Sequence, residues 1–243
     1  GDEPSSVRDA FKAIDRKLLQ LTNYQADFSV TFDSLKGAVS ITGTVVQQPS
    51  LALRRDLYLE EEGGAARKFE RTICDGSNGW QIEYAPNGRV LNVSRWGEAS
   101  MHELFYVLVQ KSQLTLLSHD VTNTYTMLRR TVAFQRVIAN GPSFELIGTD
   151  RTDTSSYKDL YQFAAAYGPQ GISNYVTSRV VLRVDAHGLP LELTRENLLG
   201  RVIERARLYN IRVNAPLPAD MFAYQPPPDT MVLDLDRAIN TLP

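Results

Sequence analysis

The sequence predicts an α+β fold that is mainly β, built on one antiparallel sheet of about ten or eleven strands with few helices. Three observations carry this. Apolar and polar residues alternate with period two through most of the chain. Turn signals built on glycine, proline and asparagine recur every ~8–12 residues, as in an antiparallel meander. Helical spacing of apolar residues is confined to a few segments.

Taken in order, the chain opens with an amphipathic helix over Val7–Leu21. Val7, Phe11, Ile14, Leu18 and Leu21 fall on one side, and Ser5 or Ser6 stands where a cap is expected. The period then becomes two. Tyr24, Ala26, Phe28, Val30 and Phe32 alternate with Gln25, Asp27, Ser29, Thr31 and Asp33. Val39, Ile41, Gly43 and Val45 continue the pattern up to Pro49-Ser50. Leu51, Leu53, Leu57 and Leu59 share the next strand face with one intruder, Arg55. Ala66–Cys74 is a strand, Asp75–Gly79 a turn, and Trp80, Ile82 and Tyr84 one face of the strand after it. Pro86-Asn87-Gly88 turns into a strand over Arg89–Arg95. Glu98–Ser118 breaks the rhythm, and Met101, Leu104, Phe105, Leu108 and Val109 predict one or two helices. Strands return over Arg130–Ala139 and Ser143–Thr149. Thr152–Ser178 is a polar, tyrosine-rich excursion with a short helix near Asp159–Ala166. Strands over Arg179–Asp185, Leu189–Glu196 and Arg201–Val213 follow, and Pro216–Pro228 is an extended tail expected to cross a sheet edge.

The chain has 243 residues, which at ~150 per domain allows one large domain or two small ones. Without a repeat or a flexible linker, a single domain over 1–243 is expected, with the extra segment at about 152–178. A hydrophobic share of 43% and a charged share of 22% exclude disorder along most of the chain. With 26 basic and 28 acidic residues and no basic block, nucleic acid is not an expected partner. One cysteine, Cys74, excludes an internal disulfide, a thiol redox pair and a multi-cysteine metal site. The longest fully apolar run, Leu104–Val109, is far short of the ~20 residues of a spanning helix, so no transmembrane segment is expected. No signal peptide is visible, and the start, Gly1-Asp2-Glu3-Pro4-Ser5-Ser6, reads as a trimmed or a mature terminus, so it says little about where the protein works.

No catalytic constellation is legible. There is no Gly-x-Ser-x-Gly elbow, phosphate loop, dinucleotide fingerprint or EF-hand loop. His102, His119 and His187 lack metal-ligand spacing, so no metal, cofactor or enzymatic activity is expected. Cys74 reads as a small strand residue, Asp150 and Asp153 as helix or turn caps, and Asp234 and Asp236 as part of a solvated tail.

A sheet of this width curls, and pattern alone leaves open whether the dry faces enclose a packed core or a hollow. Four segments bear on this. They are Leu21–Phe28, Gly43–Pro49, Cys74–Trp80 through Tyr84-Ala85-Pro86, and Asn214-Ala215-Pro216-Leu217 through Met221–Pro227. In order and spacing they resemble the helix end and first strand, the glycine-started strand ending at proline, the Asp-Gly turn with its aromatic strand, and the closing segment of the periplasmic lipoprotein carriers of the LolA and LolB type. The resemblance covers most of 7–150 and 179–235. It implies a half-closed antiparallel β-barrel with a helical lid and a cavity for acyl chains. One position departs: these carriers often place an arginine just before the strand-ending proline, where this chain has Gln48, with Arg54 and Arg55 just beyond.

The candidate ligand-binding residues are therefore Phe28, Val30, Phe32, Val45, Leu53, Arg55, Leu57, Trp80, Ile82 and Tyr84, with Met101, Leu104, Phe105 and Leu108 as the lid. Each also has a plain reading as core. A buried unpaired charge is costly, so Arg55 must form an ion pair, turn outward or face a polar ligand head. The expected function is a carrier or chaperone in the periplasm or cell envelope of a diderm bacterium. It would be a monomer that shelters lipoprotein acyl chains or another lipid and meets membrane-associated donor and acceptor proteins. The alternative is an envelope sensing or protein-interaction domain on the same scaffold, with Tyr157–Tyr175 as its contact surface.

Overall fold

The structure is a computed structural model that describes residues 4–34, 37–48, 52–60, 66–97, 121–151 and 177–240. Its strands are β1 (Tyr24–Ser34), β2 (Gly37–Gln48), β3 (Ala52–Leu59), β4 (Arg67–Cys74), β5 (Asn78–Tyr84), β6 (Val90–Gly97), β7 (Val132–Asn140), β8 (Ser143–Asp150), β9 (Thr177–Val184), β10 (Pro190–Asn197), β11 (Val202–Val213) and β12 (Val232–Asp234). The described helices are α1 (Ser5–Leu18), α2 (Val121–Thr131) and α3 (Leu235–Asn240). The 12-stranded sheet has the order β12-β6-β5-β4-β3-β2-β1-β11-β10-β9-β8-β7, so it ends on two different strands and is not closed. The mainly β class and the open antiparallel sheet are as the sequence predicts.

Several details differ. Helix α1 starts at Ser5, with Pro4 as its N-cap and no side-chain cap bond, so both serines lie inside the first turn. Proline presets the dihedral angle that the cap needs, and the amide of Arg8 closes the first turn on the Pro4 carbonyl at 3.1 Å. Helix α2 takes Arg130, expected in a strand. Val121, Thr124, Tyr125 and Leu128 lie on its buried side, and the threonine and the tyrosine hydroxyl blur the apolar stripe. The excursion ends earlier than expected, because Thr177 and Ser178 already belong to β9. Strand β12 is unforeseen and pairs parallel with β6; three residues cannot display an alternation.

The chain divides into two compact units, one of residues 1–20, 30–39 and 121–208, the other of residues 21–29, 40–120 and 209–243. In the first, α1 buries Val7, Ala10, Phe11, Ile14 and Leu18. Phe11 meets Phe134 of β7 with ring centroids 5.6 Å apart and Tyr125 of α2 at 6.3 Å. The sheet side is Leu146, Val180, Leu182, Val184 and Leu193, all buried. Gly188, in the β9–β10 turn at φ +85°, packs its backbone on Ile14 and Lys17. Its carbonyl accepts a 2.6 Å bond from the Tyr125 hydroxyl. Beyond this core Arg195 pairs with Glu204 at 2.6 Å and Asp150 at 3.5 Å. Asp150 is thus an ion-pair partner at the end of β8 and not a cap; Asp153 lies outside the described residues.

In the second unit, β2 to β6 form an antiparallel meander with β12 at the edge. The segment after β11 is a strap. At its start Asn214 takes φ 53°, donates its amide to the Asn23 carbonyl at 2.9 Å, and accepts from the amide and hydroxyl of Thr22. Asn23 returns a bond to the Ala215 carbonyl at 2.9 Å. At its end Val232–Asp234 joins β6, and the Asp236 carboxylate accepts the Gly97 amide at 2.8 Å. Asp234 lies within 4.0 Å of Arg95. Asp234 and Asp236 therefore anchor the strap, a correction to the solvated tail the sequence suggested; their partners Arg95 and Gly97 lie too far away along the chain for spacing to reveal.

Candidate functional site

Directly paired residues on neighbouring antiparallel strands point to the same side of the sheet, so the register sorts the candidates by face. On the first face Val45 pairs Arg55, Gly43 pairs Leu57 and Gln47 pairs Leu53. Arg55 in turn pairs Thr72, and Leu57 pairs Glu70. Thr72 pairs Gln81, and Glu70 pairs Glu83. Phe28 belongs to this face, because a Cβ on Gly43 would run into its ring. That close approach explains the glycine. Gly79 repeats the device under the Trp96 indole.

The first face is therefore half apolar and half polar. Phe28, Val45, Leu53 and Leu57 are its apolar wall, each between 0% and 5% exposed. Next to the wall, Arg55 donates to Glu70 at 2.6 Å and to the Thr72 hydroxyl at 3.2 Å. Gln81 donates to the other oxygen of Glu70 at 2.9 Å. So Arg55 does point the way of the leucines, and its charge is met by a carboxylate on the next strand. Gln48 pairs with Ala52 at the end of β2, while Arg54 points to the opposite side from Arg55. Arg54, which pairs with Val46, shares the face of Gln48, and Arg55 stands on the other.

Trp80, Ile82 and Tyr84 stand on the second face. Trp80 pairs Ile73, and Ile82 pairs Arg71. Ile73 pairs Arg54, and Arg71 pairs Asp56. These three are consequently not neighbours of Phe28, Val45, Leu53 and Leu57, and one wall cannot contain both sets. Alternation within a strand fixes which residues share a face, but not which face of the next strand joins it. Val30 and Phe32 belong to the other compact unit; Val30 is buried and Phe32 half-buried. Met101, Leu104, Phe105 and Leu108 lie outside the described residues, as do Leu51, His102, His119 and Tyr157–Tyr175.

The second face holds a cluster that single-strand patterns miss. Asp56 is buried, and its carboxylate accepts from Arg71 Nε at 2.5 Å and Nη2 at 3.1 Å. Lys68 Nζ lies 2.8 Å from the same carboxylate and Arg54 Nε 3.7 Å. Burial pushes the Asp56 carboxyl up, but the bonds and charges of Arg71 and Lys68 outweigh it and hold the group below the ordinary carboxylate value. Lys68 also sits 5.6 Å from the Tyr58 ring centre and 5.5 Å from that of Tyr84. Over this face runs the strap: Tyr224 packs on Trp80 with ring centroids 5.3 Å apart, and the Met221 carbonyl accepts from Arg54 at 3.4 Å. The available signal was Arg54-Arg55-Asp56 inside a leucine-rich strand. Charges at adjacent positions must emerge on opposite faces, so both faces had to be polar somewhere.

Cys74 ends β4 half-buried, and burial pushes its thiol up, away from the reactive thiolate. His187 is exposed in its turn. The described residues contain no group of three or more His, Cys, Asp or Glu placed to hold a metal. No described helix is long and apolar enough to cross a membrane.

No protein-family model matches the chain, and no curated protein sequence does. Several solved structures are similar in fold. An uncharacterised conserved protein of Thermus thermophilus shares 11% identity over 95% of this chain and 99% of its own, with a TM-score of 0.49. MucB shares 14% identity over 93% of this chain, with a TM-score of 0.45; the match spans 65% of the MucB chain. A LolA superfamily protein of Nitrosomonas europaea shares 10% identity over 89% of this chain and 97% of its own, with a TM-score of 0.36.

Proposed function

We propose that this protein binds an acyl chain or another apolar ligand on the first face of the β2–β6 meander and acts as a carrier or chaperone in the cell envelope of a diderm bacterium. The observation that carries the reading is the division of that face. Phe28, Val45, Leu53 and Leu57 offer a dry wall, and Arg55, Glu70, Thr72 and Gln81 beside it offer bonds to a polar end. Each methylene moved from water into contact with apolar side chains gains about 0.8 kcal/mol, which is the driving force for a chain to enter against this wall. The resemblance to the LolA and LolB carriers supports the same reading. Membrane-associated donor and acceptor proteins would supply and receive the cargo.

A second reading has its own observation. With 0–5% exposure, the wall is as covered as an ordinary core. A filled face would make the scaffold a sensing or protein-interaction domain without cargo. Native mass spectrometry of protein purified without detergent, with lipid analysis of a solvent extract, separates the two. A co-purified fatty acid, phospholipid or acylated peptide is the expected result. A clean apo mass with no uptake of added fatty acid or lipopeptide overturns the carrier reading and leaves the interaction domain.

A further inference from the structure

The second face of the meander carries more positive charge than its own carboxylate can neutralise. Arg54 on β3 and Lys68 and Arg71 on β4 converge on Asp56, the one carboxylate within ion-pair reach of them among the described residues. The cluster is therefore left with two positive charges. Asp56 engages Nε and Nη2 of Arg71 and the Lys68 ammonium, while the guanidinium of Arg54 has only the 3.7 Å approach to Asp56 and a long bond to the Met221 carbonyl. An arginine carries five N–H donors and a lysine three, so several remain unspent. The three side chains are 23–29% exposed, which leaves them reachable but poorly screened. A fourth donor stands by: the Tyr224 hydroxyl is buried and has no hydrogen-bond partner among the described residues. Buried hydroxyls without a partner are rare and call for an explanation.

We propose that this cluster is a binding site for a phosphate group, presented either as a soluble phosphate ester or as a lipid headgroup, held by Arg54, Lys68 and Arg71 with the Tyr224 hydroxyl as an added donor. A dianionic phosphate matches the surplus of two charges. Its tetrahedral oxygens suit donors arriving from two strands and a strap, whereas a planar carboxylate suits a single arginine fork. The site is on the opposite side of the sheet from the apolar wall and stands or falls independently of the carrier reading.

The test is isothermal titration of the full chain with inorganic phosphate at fixed ionic strength, chloride replacing phosphate in the control. Saturable one-site binding is expected. Arg54→Gln should weaken it about tenfold or more and Tyr224→Phe about threefold, the ranges for a charged and a neutral hydrogen bond. Arg183→Gln, which removes a charge from β9, should leave it unchanged. Flotation with phosphatidylcholine vesicles, with and without phosphatidic acid, then assigns the source. Recruitment by phosphatidic acid that Arg54→Gln abolishes identifies a headgroup site. Phosphate binding without recruitment identifies a soluble phosphate ester. Absence of both, or wild-type binding by folded Arg54→Gln protein, overturns the proposal.

Discussion

Asp56→Asn is the most informative single change in the meander. The carboxylate is 8% exposed and holds Arg71 through two bonds and Lys68 through one, with both cations 23% exposed. Removing one partner of a buried ion pair typically costs about 3–5 kcal/mol. The partial exposure of the cations, which water can then solvate, argues for about 3 kcal/mol. At ~2–4 °C per kcal/mol for a chain of this size, the melting temperature should fall by about 6–12 °C. The pH dependence gives a sharper criterion. The Asp56 carboxyl lies below its ordinary value in the folded state. Its stabilisation is therefore fully present above the unfolded value of ~4 and is lost as pH falls through the lower folded value. Urea unfolding of the two proteins should differ by the full amount at pH 7, and the gap should close below about pH 4. Equal stability at pH 7, or a gap of constant size down to low pH, would refute the account of the cluster.

Arg55→Leu should cost about 3 kcal/mol by stranding Glu70, whereas Arg55→Leu with Glu70→Leu should recover most of it, because an apolar pair replaces a buried ion pair at little net cost; a double-mutant cycle in urea reads the coupling. Gly79→Ala drives a methyl into the Trp96 indole and should cost about 1–3 kcal/mol with a shift in tryptophan emission, since overpacking displaces the ring. Tyr125→Phe removes the 2.6 Å bond to the Gly188 carbonyl and should cost about 1 kcal/mol, with faster amide exchange in the β9–β10 turn.

How far the sequence was legible depends on the range of the information. Period-two alternation is local, so eleven of the twelve strands and helix α1 were visible within a few residues at each end. Helix α2 hid because its buried side is carried by Val121, Thr124, Tyr125 and Leu128, where two polar-bearing side chains blur the apolar stripe. Strand β12 hid because three residues have no period, and its partner β6 lies more than a hundred residues away. The site fared worse for one physical reason. Each strand announces its own dry face, but the pairing that puts Val45 beside Arg55 and Arg71 beside Ile82 is a non-local register. The sequence therefore offered Phe28, Leu53 and Trp80 as equals, and only the register separates Trp80 from the other two. Arg55 shows the converse: a charge among leucines forces a partner somewhere, so an ion pair was one of few possible outcomes even though Glu70 could not be named. The consecutive Arg54-Arg55-Asp56 carried the remaining clue. Three charges in a row on a strand cannot all leave by one side, so a sheet that buries this strand must place compensating polar groups on both faces. Glu70 and Thr72 do this on one side and Arg71 and Lys68 on the other. The same constraint puts a polar cluster on each face of one sheet, Arg55 with Glu70 and Thr72 on one and Asp56 with Arg71 and Lys68 on the other.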